Sequence, residues 1–177
     1  MDKTKTKNYP ILSIIFVCIT GTLLHFTYEF FNENIFVAAF SAVNESVWEH
    51  LKLLFFPMSI STIVGYFYIG KNIPNFLCSR LLGIIASMLF IIIFFYTYTG
   101  IIGTNIAFID IVSFFIAVIL GERLAYKLMI SDFECNKKIS IIILVVILIC
   151  FIIFTYFTPN IGIFKDPVTN QYGIINI

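Results

Sequence analysis

Six ionisable side chains have the types and spacing for chemistry: His25 and Glu29, then Glu45, Glu49 and His50, and far along the chain Asp110. Imidazole nitrogens and carboxylate oxygens either hold a divalent metal that activates water or act as a general acid–base pair. The His25–Glu29 and Glu45–Glu49 spacings of four place each pair on one face of a helix. No HExxH, paired CxxC or nucleophile elbow accompanies them, so residue type and position carry the expectation rather than a motif. The candidate catalytic set is His25, Glu29, Glu45 and Asp110, which are also the candidate ligands of a divalent metal. Asn44, Trp48, Glu49, His50 and Lys52 form its expected rim.

These residues must be positioned by a membrane-embedded scaffold. The chain has 177 residues, 60% hydrophobic and 12% charged, and a mean hydropathy of +1.00. A soluble domain of this length would carry far more charged surface. A bilayer core of roughly 30 Å takes about 20 apolar residues in a helix. Five segments qualify, about 9–30, 47–70, 79–102, 105–127 and 139–158. The expected fold is therefore an all-α, polytopic membrane protein in a single domain over 1–177, with an outer C-terminal tail at 159–177. The first apolar run is too long for a signal peptide and lacks a cleavage site, so it reads as an uncleaved span.

Charge orients the spans. Lys3, Lys5, Lys7, Lys71, Arg80, Arg123, Lys127, Lys137 and Lys138 fall on one side, against Lys52 and Lys165 on the other. The positive-inside rule then puts the N-terminus inside, the C-terminus outside and the protein in the plasma membrane. Both histidines and Glu29, Glu33, Glu45, Glu49, Asp110 and Asp166 gather toward the outer face, while Asp2, Glu122, Asp132 and Glu134 stay inside. Of the four cysteines, Cys78 and Cys135 fall in segments assigned to the cytoplasm and none forms a CxxC pair, which argues against a disulfide framework or zinc site.

Helical periodicity gives two polar or small stripes. One comprises Cys18, Gly21, Thr22, His25, Glu29 and Asn32, and the other Ala107, Asp110, Ser113, Ala117 and Gly121. Asp110, roughly two turns into its span, should face the bundle rather than lipid. Ser61 with Gly65, and Gly83 with Ser87, permit close backbone approach within the bundle or in a homo-oligomer. Pro57 should kink the second span. Glu122, Arg123 and Lys127 read as a solvated helix end, and Trp48, Tyr96 and Tyr98 as an aromatic belt at the outer interface.

Ser41–Lys52 reads in two ways. In a continuous helix from about residue 35, Glu45 and Glu49 share a face and His50 points away, so the three cannot bind one metal. If Ser46–Glu49 is instead a capping box, the second span starts at Ser46 and Glu45 swings free. Residues 34–43 then form a short interfacial or re-entrant segment, too short to span. In the tail, Asp166-Pro167 and Asn170-Gln-Tyr-Gly173 are turn signals, which predict a hairpin folded over the acidic mouth.

The segments SAVNESVWEHLKLLFFP (41–57), YTYTG (96–100) and FKDPVTNQYGI (164–174) resemble a domain-of-unknown-function family of small bacterial integral membrane proteins. The resemblance runs over essentially the whole chain and implies a bacterial membrane protein, but brings no activity, cofactor or catalytic residue. Asn170 stands where the resemblance leads one to expect a glycine.

The functional expectation is a metal- or acid/base-dependent membrane enzyme acting at the outer face. One alternative is a small cation- or proton-coupled transporter, with the acids as a vestibule and Asp110 deeper. The other is a non-catalytic accessory, immunity or sensor protein, in which His25 is an interhelical hydrogen bonder. The expected partner is the lipid bilayer, with no nucleic acid.

Overall fold

A computed structural model describes residues 3–132 and 134–174, with the backbone alone at Lys3; Asp2 lies outside the described residues. The chain forms α1 (Lys3–Phe30), α2 (Ile35–Ala38), α3 (Val47–Tyr68), α4 (Phe76–Ile102), α5 (Ala107–Met129) and α6 (Lys137–Tyr156). Short 3-10 turns follow α3 at Gly70–Asn72 and α6 at Gly162–Phe164. Four helices are long and apolar enough to cross a membrane: α1 from Thr4, α3, α4 and α6. These four apolar helices mark a membrane protein. α5 has 23 residues, enough in length, but carries Asp110, Glu122, Arg123 and Lys127 and is not among the four.

Glycine and serine set the closest helix pair, α4 with α5. A Cβ on Gly121 would lie 1.9 Å from the Ser87 hydroxyl and 2.5 Å from the Gly83 carbonyl, so only glycine admits this approach. Ser87 donates to the Ala117 carbonyl across the same seam at 2.8 Å. Gly21 is likewise pressed by the Leu53 carbonyl and Phe114, and Gly65 by the Tyr9 ring. These small residues are thus filled from within the chain. The apolar core sits among Val17, Leu51, Leu54, Phe55, Met58, Ile84, Ala117, Val118 and Phe151.

Two buried ion pairs tie the helices together. Arg80 on α4 and Glu122 on α5 are both fully buried and paired. Arg80 also donates to Thr62 Oγ1 at 2.9 Å, and Ser13 donates to Glu122 Oε1 at 2.7 Å. Ser13 and Ser61 hydroxyls lie 2.5 Å apart, and Tyr9 donates to the Ser61 carbonyl at 2.9 Å. This network corrects one expectation: Glu122 is not part of a solvated helix end, although Arg123 and Lys127 are exposed. Hydrocarbon and packed protein both require such charges to find each other.

The second pair is Glu49–Lys52, at 2.5 Å and almost wholly buried. Lys52 Nζ also donates to the Ala38 carbonyl (2.8 Å) and Thr155 Oγ1 (3.0 Å), and Glu49 accepts from Val43 N (3.0 Å). The pair anchors α2, the following loop and α6 onto α3. The half-buried Trp48 ring packs against Phe151 (4.7 Å between centroids) and Phe164 (4.8 Å). Tyr98 is buried, and only Tyr96 of the three is largely exposed.

Cys78, at the start of α4, is disulfide-bonded to Cys135 in the loop before α6, contrary to the expectation from spacing. The loop after α5 returns to the start of α4, a proximity that a sequence separation of 57 does not disclose. Alkylation of denatured, unreduced protein should therefore modify two cysteines per chain, Cys18 and Cys150, and four after reduction. Four before reduction would mean that the bond is not formed.

The tail folds back as the turn signals predict. Lys165 and Tyr172 form an antiparallel bridge, Asp166 N donates to Gln171 O and Asn170 N to Asp166 O, each at 2.9 Å. Asn170 adopts φ 62°, the left-handed conformation that asparagine tolerates best after glycine.

Candidate functional site

Ser46 caps α3. Its hydroxyl accepts from Glu49 N at 3.3 Å, while Ser46 N donates to Asn44 Oδ1 at 2.9 Å. The capping reading of Ser41–Lys52 holds in this half only, because Glu49 reaches Val43 N instead of closing the box. With the helix beginning at Val47, Glu45 lies outside it. Its carboxylate meets His25 of α1 and His50 of α3: His25 Nε2 is 3.7 Å from Oε1 and His50 Nε2 is 3.5 Å from Oε2. The two imidazole centroids are 5.2 Å apart. One ligand atom from each of His25, Glu45 and His50 lies within 4.8 Å of the others.

The other ring nitrogen of His50 fixes its tautomer. Nδ1 lies 3.0 Å from the Ser46 carbonyl oxygen, which can only accept, so Nδ1 carries a proton and Nε2 is the nitrogen left to face the site. Backbone engagement of the distal nitrogen is the usual support of a metal-binding histidine. A tetrahedral metal with bonds of 2.0–2.1 Å separates its ligand atoms by about 3.3 Å. The two histidine–carboxylate separations, 3.7 and 3.5 Å, need only a small contraction to meet this.

The triad lines a cavity of about 320 Å³. Thr22, Asn105, Asp110 and Ser113 add polar groups, and Phe26, Leu53, Ile91, Phe95, Ile111 and Phe114 make an apolar body. Asp110 sits in the first turn of α5, nearer the helix start than the two turns expected. Its Oδ1 accepts from the Tyr98 hydroxyl, which itself accepts from Ile106 N at 3.2 Å. Tyr98 therefore fixes this carboxylate against the α4–α5 turn.

Contact with His25, helped by the nearby His50, holds the Glu45 carboxyl below its usual range against the opposing effect of partial burial. A depressed folded-state pKa contributes stability at pH values above the ordinary carboxyl range and loses it as pH falls through the depressed value. Metal-free Glu45→Gln protein should therefore show a flatter acid limb in thermal stability against pH. An unchanged acid limb would deny Glu45 this role.

Of the expected catalytic set, the structure brings His25, Glu45 and Asp110 to one cavity; Glu29 is exposed and does not line it. Of the rim set, His50 lies in the centre of the cluster. Glu49 and Lys52 are spent on each other, Trp48 faces α6 and the tail, and Asn44 donates to Gly173 O at 2.8 Å. Sequence reading missed Tyr98 as the partner of Asp110. It also missed Asp166, which is buried, accepts from Val168 N (2.7 Å) and Thr169 N (3.1 Å) through Oδ1, and takes Glu45 N at 3.3 Å through Oδ2. The Asp-Pro turn signal was the trace it left in the sequence.

The sequence model of DUF6512, a family of unknown function, matches residues 1–174, and the chain belongs to that family. No curated protein and no solved structure matches it.

Proposed function

Within a family that has no assigned activity, we propose that this chain is a metal-dependent membrane enzyme. It crosses the plasma membrane five times, α5 being the fifth span, with the N-terminus inside and the His25–Glu45–His50 centre in the outer half. Nine of eleven cations on the opposite side support this orientation. The observation that carries the reading is the convergence of His25 Nε2, the Glu45 carboxylate and His50 Nε2, with His50 Nδ1 engaged by its own helix. Two imidazoles and one carboxylate suit zinc or a similar divalent ion and leave a position for water. A metal there lowers the pKa of bound water toward neutrality. Asp110, across the cavity, is the protein's own group for taking up the proton.

The transporter reading has less support. The Arg80–Glu122 network ties α1, α3, α4 and α5 together through Ser13, Ser61, Thr62 and Tyr9, which favours a packed bundle over an open ion path.

Metal analysis of purified protein incubated with zinc and desalted tests the assignment. The wild type should retain about one ion per chain, and His50→Ala and Glu45→Ala should lose it. Glu29→Ala, outside the cluster, should keep it. A wild type that retains no metal, or a Glu45→Ala variant that retains it fully, ends this reading.

A further inference from the structure

We propose that the substrate is a single-chain fatty acyl ester, whose alkyl chain fills the cavity and whose carbonyl lies at the His25–Glu45–His50 centre. This rests on the metal-centre reading above and names what that centre acts on. The cavity is amphiphilic: His25, Glu45, His50, Asp110 and a few neutral polar groups share its lining with phenylalanine, leucine and isoleucine. Phe26 and Ile111, 59% and 56% exposed, stand at its edge, where a chain entering from the bilayer passes without leaving hydrocarbon.

Volume limits the number of chains. At about 30 Å³ for a water- or methylene-sized group, the 320 Å³ cavity holds roughly ten such groups, which is one medium chain and not two. Charge selects the reacting group. The lining includes two carboxylates, Glu45 and Asp110, and no lysine or arginine. A phosphate monoester or diester brought here would meet Asp110 and Glu45 with no lysine or arginine to help the divalent ion offset its charge. A neutral ester carbonyl carries no such penalty. It develops negative charge only as water adds, when the divalent ion is beside it.

The step balances without a further reactant. The water oxygen bonds to the carbonyl carbon and gives up a proton to Asp110. The bond from that carbon to the alkoxy oxygen then breaks, and the departing oxygen takes the proton. The products are a fatty acid and an alcohol. Tyr98, donating to Oδ1 of Asp110, keeps the carboxylate on the cavity side throughout.

Zinc-loaded protein in detergent, assayed with p-nitrophenyl esters from acetate to palmitate, tests the proposal alongside calorimetry with acetohydroxamate and decanohydroxamate. Hydrolysis should be greatest near the octanoate and decanoate esters. Decanohydroxamate should bind at least about a hundredfold more tightly than acetohydroxamate, since its added methylenes leave water. Ile91→Phe, which narrows the apolar body, should move the optimum to shorter esters with zinc content unchanged. Zinc-loaded protein that hydrolyses no ester, or that binds both hydroxamates equally, overturns the substrate assignment and leaves the metal centre standing. Protein that holds no zinc overturns both.

Discussion

Glu122→Leu is expected to destabilise the protein by about 3–5 kcal/mol, the cost of leaving a buried partner charge uncompensated. Arg80 would keep its bonds to Thr62, Ser13 and the Met58 carbonyl, but its positive charge would remain in a fully buried position with no acid. The double variant Arg80→Met/Glu122→Leu should recover most of the loss, because an apolar pair of similar volume removes both the attraction and the desolvation it had to offset. Thermal unfolding in detergent, read on the folded fraction of each variant, checks both statements. A single variant within about 1 kcal/mol of wild type would mean that Arg80 reaches water, which is incompatible with the packing described. The effect should be global, since the network joins α1, α3, α4 and α5 at one level of the bundle.

That network also shows where sequence reading stops. The helical stripes were legible in part: Gly21 on one helix, and Ser113, Ala117 and Gly121 on another, are buried, because a 3.6-residue period survives any tertiary arrangement, whereas Thr22, Glu29, Asn32 and Ala107 of the same stripes are exposed. The Ser46 cap and the folded tail were legible for the same reason, since both are local. Arg80 and Glu122 were not. Each stands near a run of cations, and a topology rule that counts charge by loop cannot see that two of them turn inward to meet. The Cys78–Cys135 bond and the Glu49–Lys52–Thr155 cluster are likewise products of three-dimensional proximity.

The candidate site divides in the same way. Glu45 and His25 stood out as ionisable residues beside apolar spans, and they do meet. His50 was placed at the rim, and in a helix running unbroken through residue 45 it would turn away from Glu45. Once Ser46 stops the helix, the backbone reverses and Glu45 falls back over the first turn, against His50. Glu29 followed from its place one turn after His25, but the first helix directs it outward. Helical spacing identifies which residues share a face; it does not say which neighbour that face meets.

Trp48→Ala should cost up to about 3 kcal/mol, the low end of the range for truncating a core aromatic because the ring is half-buried, and its consequence should reach the site. The indole lies between Phe151 on α6 and Phe164 at the start of the tail, with Phe154 5.6 Å away between ring centroids. Removing it takes away the apolar contact that seats Phe164, and with it the footing of the loop in which Asp166 holds Glu45 N. Hydrogen exchange over 164–173 should rise together with the loss of stability, and zinc affinity should fall although no ligand has been changed. Trp48→Phe separates packing from polarity. Among the described residues the indole Nε1 has no hydrogen-bond partner, so phenylalanine forfeits volume alone and should cost less than about 1.5 kcal/mol. If Trp48→Phe proved as damaging as Trp48→Ala, the indole N–H would have to be bonded in the membrane-embedded protein, and the aromatic cluster would not by itself explain how the tail is held over the site.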